Sequence, residues 1–231
     1  MTYDLYIGDR SFSSWSLRGW LMFDKFAIPV RPHMIGLYSG AMAQDMAPLA
    51  PARLVPAMRT PDGTVVGESL AMAETLAERH PDAGLWPTDP AQRATARWLC
   101  AEMVGGFSSL RGECPMQLLR RYQGFQPSDK VLADLSRIET LWDHARTVSG
   151  AKTGWLFGTY SLADVFYTPV AARILGYGLP VSTAAKAYCE ALVGDDSVHR
   201  WCTEGAQVSY DPEPYKLDLP SAPFLSTAPA H

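Results

Sequence analysis

The predicted secondary structure changes character near residue 87. Before that point, short runs with strand-like alternation are interleaved with helical patterns, and after it only helical patterns follow. The first part reads strand, helix, strand, helix, strand, strand, helix, which is the plan of a thioredoxin-like domain. A chain of 231 residues has room for two domains of about 100 residues each. The sequence therefore predicts an α/β domain followed by an all-α helical bundle.

The segments follow from hydrophobic periodicity and from breaker residues. Pro29 ends the first helical pattern, and Pro61-Asp62-Gly63 is a hairpin turn signal. Gly105-Gly106 predicts a kink or a close approach inside a long helix. The predicted strands are 3–7, 30–35, 57–60 and 64–67, and the predicted helices are about 17–28, 42–49, 69–80, 91–111, 128–148, 161–175, 183–193 and 197–205.

We predict three parts: a thioredoxin-like domain at 1–84, a helical domain at 90–210 and a C-terminal tail at 211–231. The break should fall between Gly84 and Pro90. The tail is rich in Pro, Ser and Ala, which is typical of a segment that drapes over the surface or is disordered.

Composition excludes several classes of protein. With 47% hydrophobic residues, 19% charged residues and a net charge of -4, the chain resembles neither a disordered protein nor one that coats nucleic acid. The N-terminus lacks a signal-peptide pattern and no apolar run is long enough to span a membrane, so we expect a cytoplasmic protein without a membrane partner. The cysteines lie far apart without clustered His, which predicts buried free thiols, no metal site and no disulfide framework: Cys100, Cys114, Cys189 and Cys202.

Hydroxyl residues open the first predicted helix. Residues 13–18 read Ser-Ser-Trp-Ser-Leu-Arg and follow directly on the first strand and its polar turn. Serine at a helix N-terminus commonly caps the backbone, and a hydroxyl there can also donate to an anion. Both interpretations of Ser13 and Ser14 are open at this point.

Two further motifs lie in the first domain. Residues 53–56 read Arg-Leu-Val-Pro directly before a predicted strand, where a proline is also common at an edge strand. Glu68 and Ser69 open the third helix, where free backbone N–H groups attract a carboxylate and where a simple cap is the alternative. In the second domain, Ser161 and Asp164 fit a capping box.

In this order and spacing the motifs resemble the cytosolic glutathione transferase superfamily over nearly the whole chain. Residues 13–18 resemble the Ser-Ser-Cys-Ser-Trp-Arg opening of the zeta class and, more closely, the Ser-Ser-Trp-Ser-Leu-Arg opening of related bacterial members. The resemblance implies a homodimer, glutathione as co-substrate, Ser13 as the catalytic hydroxyl that stabilises its thiolate, and a cis peptide bond before Pro56. It implies glutathione contacts at Ser13, Ser14, Arg53, Val55, Pro56, Glu68 and Ser69, and second-substrate contacts at Met103, Phe107 and Arg111.

Two departures narrow the function. No cysteine precedes Cys100, which excludes the glutathionyl-disulfide chemistry of members that carry a cysteine near position 13. Trp15 stands where zeta enzymes have cysteine, which weakens the prediction of maleylacetoacetate isomerisation. The leading hypothesis is therefore conjugation of glutathione to a small hydrophobic electrophile. The alternatives are glutathione-dependent cis-trans isomerisation, with Arg111 and Arg173 meeting carboxylates, and a non-catalytic binding module.

Overall fold

The chain divides into two compact units between Leu85 and Trp86. The computed structural model describes residues 2–206 and 213–225. Each unit has its own arrangement of secondary structure, which positions its functional residues.

The first unit follows the predicted order of elements. Its strands are β1 (Tyr3–Ile7), β2 (Val30–Met34), β3 (Ala57–Arg59) and β4 (Val65–Gly67), and its helices are α1 (Ser14–Asp24), α2 (Met42–Met46) and α3 (Ser69–Arg79). Short 3-10 turns at Ala47–Leu49 and Pro81–Ala83 follow α2 and α3. The thioredoxin-like plan predicted from the sequence is confirmed.

The four strands form one sheet in the order β2-β1-β3-β4. β1 runs parallel to β2, because α1 crosses between them, and the β1–β3 and β3–β4 pairs are antiparallel. Along β1, Tyr3, Leu5 and Ile7 are buried while the intervening residues are half-buried. This alternation produced the strand pattern in the sequence.

The second unit is dominated by helices. These are α4 (Pro90–Gly105), α5 (Ser108–Glu113), α6 (Asp129–Ser149), α7 (Leu162–Tyr177), α8 (Thr183–Val193) and α9 (Asp196–Gly205). The capping box at the start of α7 is confirmed, since Asp164 Oδ2 accepts from the Ser161 backbone N–H at 2.8 Å. All four cysteines are buried and free, as predicted.

The predicted single helix at 91–111 is wrong, because the chain breaks after Gly105. Phe107 has a φ of 56°, in the left-handed region, and α5 starts at the next residue. A Cβ at Gly106 would lie 2.7 Å from the carbonyl oxygen of Glu102, so only glycine fits that position. The Gly-Gly pair therefore ends the helix where the sequence predicted a kink or a close approach within it.

The prediction that strands stop after residue 87 is also wrong. β5 (Arg120–Tyr122) and β6 (Ser221–Pro223) form an antiparallel pair inside the second unit. The Arg120 guanidinium donates to both carboxylate oxygens of Glu213, at 2.7 and 2.9 Å. Residues 213–225 of the predicted tail are therefore paired with the body of this unit, and the rest of that tail lies outside the described residues.

Within residues 2–206 and 213–225, no helix is long and apolar enough to cross a membrane. The same residues contain no group of three His, Cys, Asp or Glu side chains placed to hold a metal ion.

Candidate active site

The register of the sheet brings the three motifs of the first unit to one edge. Tyr6 lies opposite Ala57 in the β1–β3 pair, and Ala57 lies opposite Gly67 in the β3–β4 pair. The end of β1, the start of β3 and the end of β4 therefore coincide. Pro56 precedes β3 and Glu68 follows β4 at this edge, where β1 also gives way to the loop that leads to α1.

A glycine lets α1 pack directly on the proline of the second motif. A Cβ added at Gly19 would lie 2.7 Å from Pro56 Cβ and 2.9 Å from Pro56 Cγ. Only a residue without a side chain permits this approach. The helix that carries the first motif is thus held against the segment that carries the second.

Ser13 caps α1 through its side chain. Its Oγ accepts from the backbone N–H of Ser16 at 3.2 Å, and the two hydroxyl oxygens lie 2.8 Å apart. Ser16 Oγ also accepts from the backbone N–H of Gly8 at 2.8 Å. A continuous hydrogen-bonded path therefore runs from the end of β1 to the Ser13 hydroxyl.

The loop before α1 is organised by Asp9. Its carboxylate oxygen Oδ1 accepts from the backbone N–H groups of Ser11 at 2.8 Å and Phe12 at 3.2 Å. Its carbonyl oxygen accepts from the Ser13 backbone N–H at 2.9 Å. These bonds fix the backbone that presents Ser13.

The rest of the first motif packs along α1. Ser14 is the first residue of the helix, is 6% exposed, and its carbonyl oxygen accepts from Arg18 Nε at 3.4 Å. The Arg18 guanidinium lies 3.9 Å from the centre of the Trp15 ring. Trp15, which occupies the position of the zeta-class cysteine, thus forms a cation–π pair within the helix.

The peptide bond before Pro56 is cis, as the resemblance implies, and a second cis bond precedes Pro51. Val55 is half-buried and Pro56 is buried, whereas Arg53 is exposed. The backbone of Val55 precedes β3, so its polar groups lie beside the edge where the motifs meet.

Glu68, and not Ser69, caps α3. The helix starts at Ser69, and the Glu68 carboxylate accepts from the Leu70 backbone N–H at 3.0 Å. The buried Ser69 hydroxyl donates to the same carboxylate at 3.3 Å. The interpretation of Ser69 as a simple cap is therefore wrong. Glu68 occupies the position because its φ of 68° turns the chain sharply from β4 into the helix.

The residues predicted for a second substrate lie around the break between α4 and α5. Met103 has no exposed surface and Phe107 is 6% exposed. Arg111 Nη1 donates to the carbonyl oxygens of Val104 at 3.2 Å and Gly106 at 3.3 Å. The guanidinium thus satisfies carbonyl groups that the helix break leaves open.

Sequence reasoning did not assign a role to Gly19, Ser16 or Asp9. The signal for Ser16 was present, because a serine three residues after an N-cap can reach it. Gly19 and Asp9 have roles that depend on tertiary placement, which spacing along the chain does not reveal.

Residues 12–79 match the family model described as the glutathione S-transferase N-terminal domain. The match begins one residue before Ser13 and ends at the last residue of α3, so it spans all three motifs. This part of the chain is therefore similar to the N-terminal domain of glutathione S-transferases.

Two curated relatives that match about half of the chain are named as maleylacetoacetate isomerases. The chain is 34% identical over 117 residues to a probable maleylacetoacetate isomerase of Caenorhabditis elegans, covering 51% of this chain and 53% of the relative. It is 32% identical over 108 residues to maleylacetoacetate isomerase of Rattus norvegicus, covering 46% of this chain and 50% of the relative. The chain thus spans about half the length of the curated relatives it matches.

Solved structures of glutathione transferase homologues share the fold of this chain. A glutathione transferase homologue from Burkholderia with bound glutathione superimposes with a TM-score of 0.66 at 22% identity, covering 90% of this chain and all of that one. A homologue from Lodderomyces elongisporus with two glutathione molecules per subunit gives a TM-score of 0.65 at 14% identity, covering 87% of this chain and 97% of that one. At these identities the likeness shows the fold.

Proposed function

We propose that this protein is a glutathione transferase, in which the thiolate of bound glutathione attacks a small hydrophobic electrophile. The observation that carries the proposal is the meeting of the three motifs at one edge of the sheet, with Gly19 packed against Pro56. The glutathione-bound structures with the same fold support glutathione as the ligand.

Ser13 is the proposed catalytic residue. A thiol with a pKa of about 8.5 is only a few per cent ionised at pH 7, and lowering that pKa by about two units requires roughly 3 kcal/mol of preference for the anion. A hydroxyl that donates to a charged acceptor contributes about 1.5–3 kcal/mol, and a helix N-terminus about 0.3–1 kcal/mol. Ser13 at the start of α1 offers both contributions.

The remaining residues at this edge are proposed to hold the rest of glutathione. The Val55 backbone, before the cis Pro56, would pair with the cysteinyl part as an added strand. The exposed Arg53 side chain is free to reach the glycyl carboxylate, and Ser14 lies beside Ser13 in α1.

Glu68 and Ser69 are proposed to bind the γ-glutamyl end. The Glu68 carboxylate already accepts from the Ser69 hydroxyl and the Leu70 backbone N–H. These donors are also the ones that a ligand carboxylate would use at the start of α3. Binding therefore requires the Glu68 carboxylate to turn from the helix toward the ligand ammonium group.

We propose that the electrophile contacts the region of Met103, Phe107 and Arg111 in the second unit. The Arg111 guanidinium is fixed by its bonds to two carbonyl oxygens, so it would supply a positive charge at a defined position. We also propose a cytoplasmic location and a homodimer.

The buried free cysteines support the cytoplasmic location, because reducing compartments preserve thiols.

Cis-trans isomerisation is a second candidate, because the curated relatives named above are maleylacetoacetate isomerases. Arg173 weakens it. Its Nε donates to the Cys114 carbonyl at 2.8 Å and its Nη1 to the Pro169 carbonyl at 3.0 Å, and burial lowers the pKa of the guanidinium to about 10. Arg173 therefore contributes to the packing of its own unit. Product analysis with maleylacetoacetate separates the two reactions.

Calorimetry separates an enzyme from a non-catalytic module. The proposal predicts binding of glutathione by the wild-type protein below about 10 mM, a range in which a site worth even 3 kcal/mol begins to fill. If the wild-type protein does not bind glutathione in this range, both the proposal that glutathione is its ligand and the proposal that it is a glutathione transferase are refuted.

Turnover with an activated aryl chloride tests the catalytic residue. Ser13→Ala should lower kcat by about ten- to a thousandfold, because it removes a charge-assisted hydrogen bond worth about 1.5–3 kcal/mol, while glutathione affinity changes little. Unchanged turnover in Ser13→Ala, together with loss in Ser14→Ala, would move the role to Ser14.

Titration of two variants tests the γ-glutamyl contacts. Glu68→Gln and Ser69→Ala should each weaken glutathione binding by about 1–3 kcal/mol, or five- to a hundredfold in Kd. Glu68→Gln keeps an oxygen that can accept from the Leu70 N–H, so its thermal melt should stay close to that of the wild type. If both variants bind glutathione with the wild-type Kd, Glu68 and Ser69 do not contact the γ-glutamyl end of the ligand.

A further inference from the structure

The Ser13 and Ser16 hydroxyls share one hydrogen bond but carry two protons. Ser16 Oγ has two polar neighbours among the described residues, the Gly8 N–H at 2.8 Å and Ser13 Oγ at 2.8 Å. Ser13 Oγ likewise has the Ser16 N–H at 3.2 Å and Ser16 Oγ. Either hydroxyl can donate to the other, but only one proton can lie between the two oxygens, so the other proton must point elsewhere.

Burial decides which proton points away. Ser16 is 0% exposed, whereas Ser13 is 8% exposed. A Ser16 proton directed away from Ser13 would be buried without an acceptor, at a cost that a Ser13 proton directed outward avoids. The favoured arrangement therefore has Ser16 donating to Ser13 and Ser13 donating outward.

We propose that Ser16 is a positioning residue that orients the Ser13 hydroxyl as a hydrogen-bond donor to the ligand sulfur. The inference rests on the proposed function, because it needs glutathione beside Ser13. The path then runs from the Gly8 N–H to Ser16, from Ser16 to Ser13, and from Ser13 to the thiolate. Each donor polarises the next, which strengthens the last bond in the chain.

The arrangement also defines what Ser13 does. The Ser13 oxygen accepts from the Ser16 backbone N–H and lies 2.8 Å from the Ser16 hydroxyl oxygen. In the proposed arrangement it accepts from that hydroxyl as well, so both of its lone pairs are occupied and it cannot take the thiol proton. The thiol therefore ionises by releasing its proton to water, and the hydroxyl stabilises the sulfur anion that remains. No proton is transferred to Ser13.

The test is a pH titration of bound glutathione, followed by the ultraviolet absorption of the thiolate. Ser16→Ala should leave about three- to tenfold less thiolate at a pH below the thiol pKa. Affinity for S-methylglutathione, which has no thiol to ionise, should stay within about twofold of the wild type. In the Ser13→Ala variant, adding Ser16→Ala should not lower the thiolate fraction further, because the Ser13 hydroxyl through which Ser16 acts is already absent.

Thr60→Ala is the matched control for lost stability. Thr60 is a buried hydroxyl in the same unit whose Oγ1 accepts from the Thr64 backbone N–H at 3.0 Å, in the turn between β3 and β4. It should lower the melting temperature without changing the thiolate fraction. Ser16→Cys, which keeps a weaker donor at similar size, should give an intermediate thiolate fraction and serves if Ser16→Ala does not fold.

Three results would overturn the inference. The first is a wild-type thiolate fraction in both Ser16→Ala and Ser16→Cys. The second is a loss of S-methylglutathione affinity in Ser16→Ala as large as its loss of thiolate. The third is a Ser16→Ala substitution that lowers the thiolate fraction as much in the Ser13→Ala variant as in the wild type. Failure of the proposed function itself looks different, because the wild-type protein would then fail to ionise bound glutathione at all.

Discussion

Gly19→Ala tests whether the contact between α1 and Pro56 builds the site. The new Cβ would lie 2.7 Å from Pro56 Cβ, whereas carbon atoms are at their optimum separation from about 3.5 Å, so α1 or the proline segment must move by about 0.8 Å. The neighbouring ring is rigid and sits in the backbone, so the strain cannot be relieved by rotating a flexible side chain.

Two opposing contributions determine how much Gly19→Ala changes the free energy of unfolding. Overpacking a close contact costs about 1–3 kcal/mol, and replacing glycine by alanine inside a helix gains about 1 kcal/mol. Gly112→Ala in α5 isolates the second term, because a Cβ there would meet no described atom within 4 Å. We expect Gly19→Ala to be about 1–3 kcal/mol less stable than Gly112→Ala.

Urea denaturation of both variants measures this difference, and calorimetry then measures glutathione binding. Displacement of α1 should weaken glutathione binding in Gly19→Ala and leave it unchanged in Gly112→Ala, because it moves Ser13 relative to Val55. If Gly19→Ala is as stable as Gly112→Ala, the close approach of the two motifs does not hold the site together.

Two further predictions concern stability and assembly. Hydrogen bonds from Arg31 at 2.6 Å and His33 at 2.7 Å hold the pKa of Asp4 at about 2, below its ordinary 3.8, so the stability that Asp4 contributes is complete above pH 3.8 and is lost as the pH falls through about 2. Asp4→Asn should therefore lower the urea midpoint more at pH 6 than at pH 2, where about half of Asp4 is already protonated, and an equal loss at both would show that charge is not the cause. Light scattering should report about twice the 25.4 kDa chain mass, and a monomer at micromolar concentration contradicts the proposed homodimer.

The sequence predicted those elements whose side chains alternate in burial. β1 alternates strictly, and in α6 the residues Val131, Leu135, Ile138, Trp142 and Ala145 are all buried at helical spacing. Such periods are visible along the chain because one face of each element meets the core.

The elements that sequence reasoning missed have no such period. β5 and β6 are three residues long, too short for alternation to be recognised, and their pairing joins residues about 100 positions apart. The break after Gly105 depends on the left-handed conformation of Phe107, which is uncommon for an aromatic residue.

The sequence identified the residues of the candidate site, but not how they are arranged in space. Serine at position 13 suggested either a cap or a donor, and Glu68 and Ser69 suggested a helix start. Their meeting at one edge follows from the sheet register, which only the tertiary structure supplies. Glu68 takes over the cap because it alone adopts the turn between β4 and α3.

The two interpretations of Ser13 are compatible, because capping and donation use different parts of one hydroxyl. The cap uses a lone pair of the oxygen, which accepts from the Ser16 backbone N–H, and donation to a thiolate uses the proton. An acceptor-only residue such as aspartate caps a helix equally well but cannot donate when ionised. Serine at this position can therefore act beyond helix capping only through its proton. In the proposed arrangement, Ser16 donates to the second lone pair of the Ser13 oxygen and leaves the Ser13 proton for the ligand.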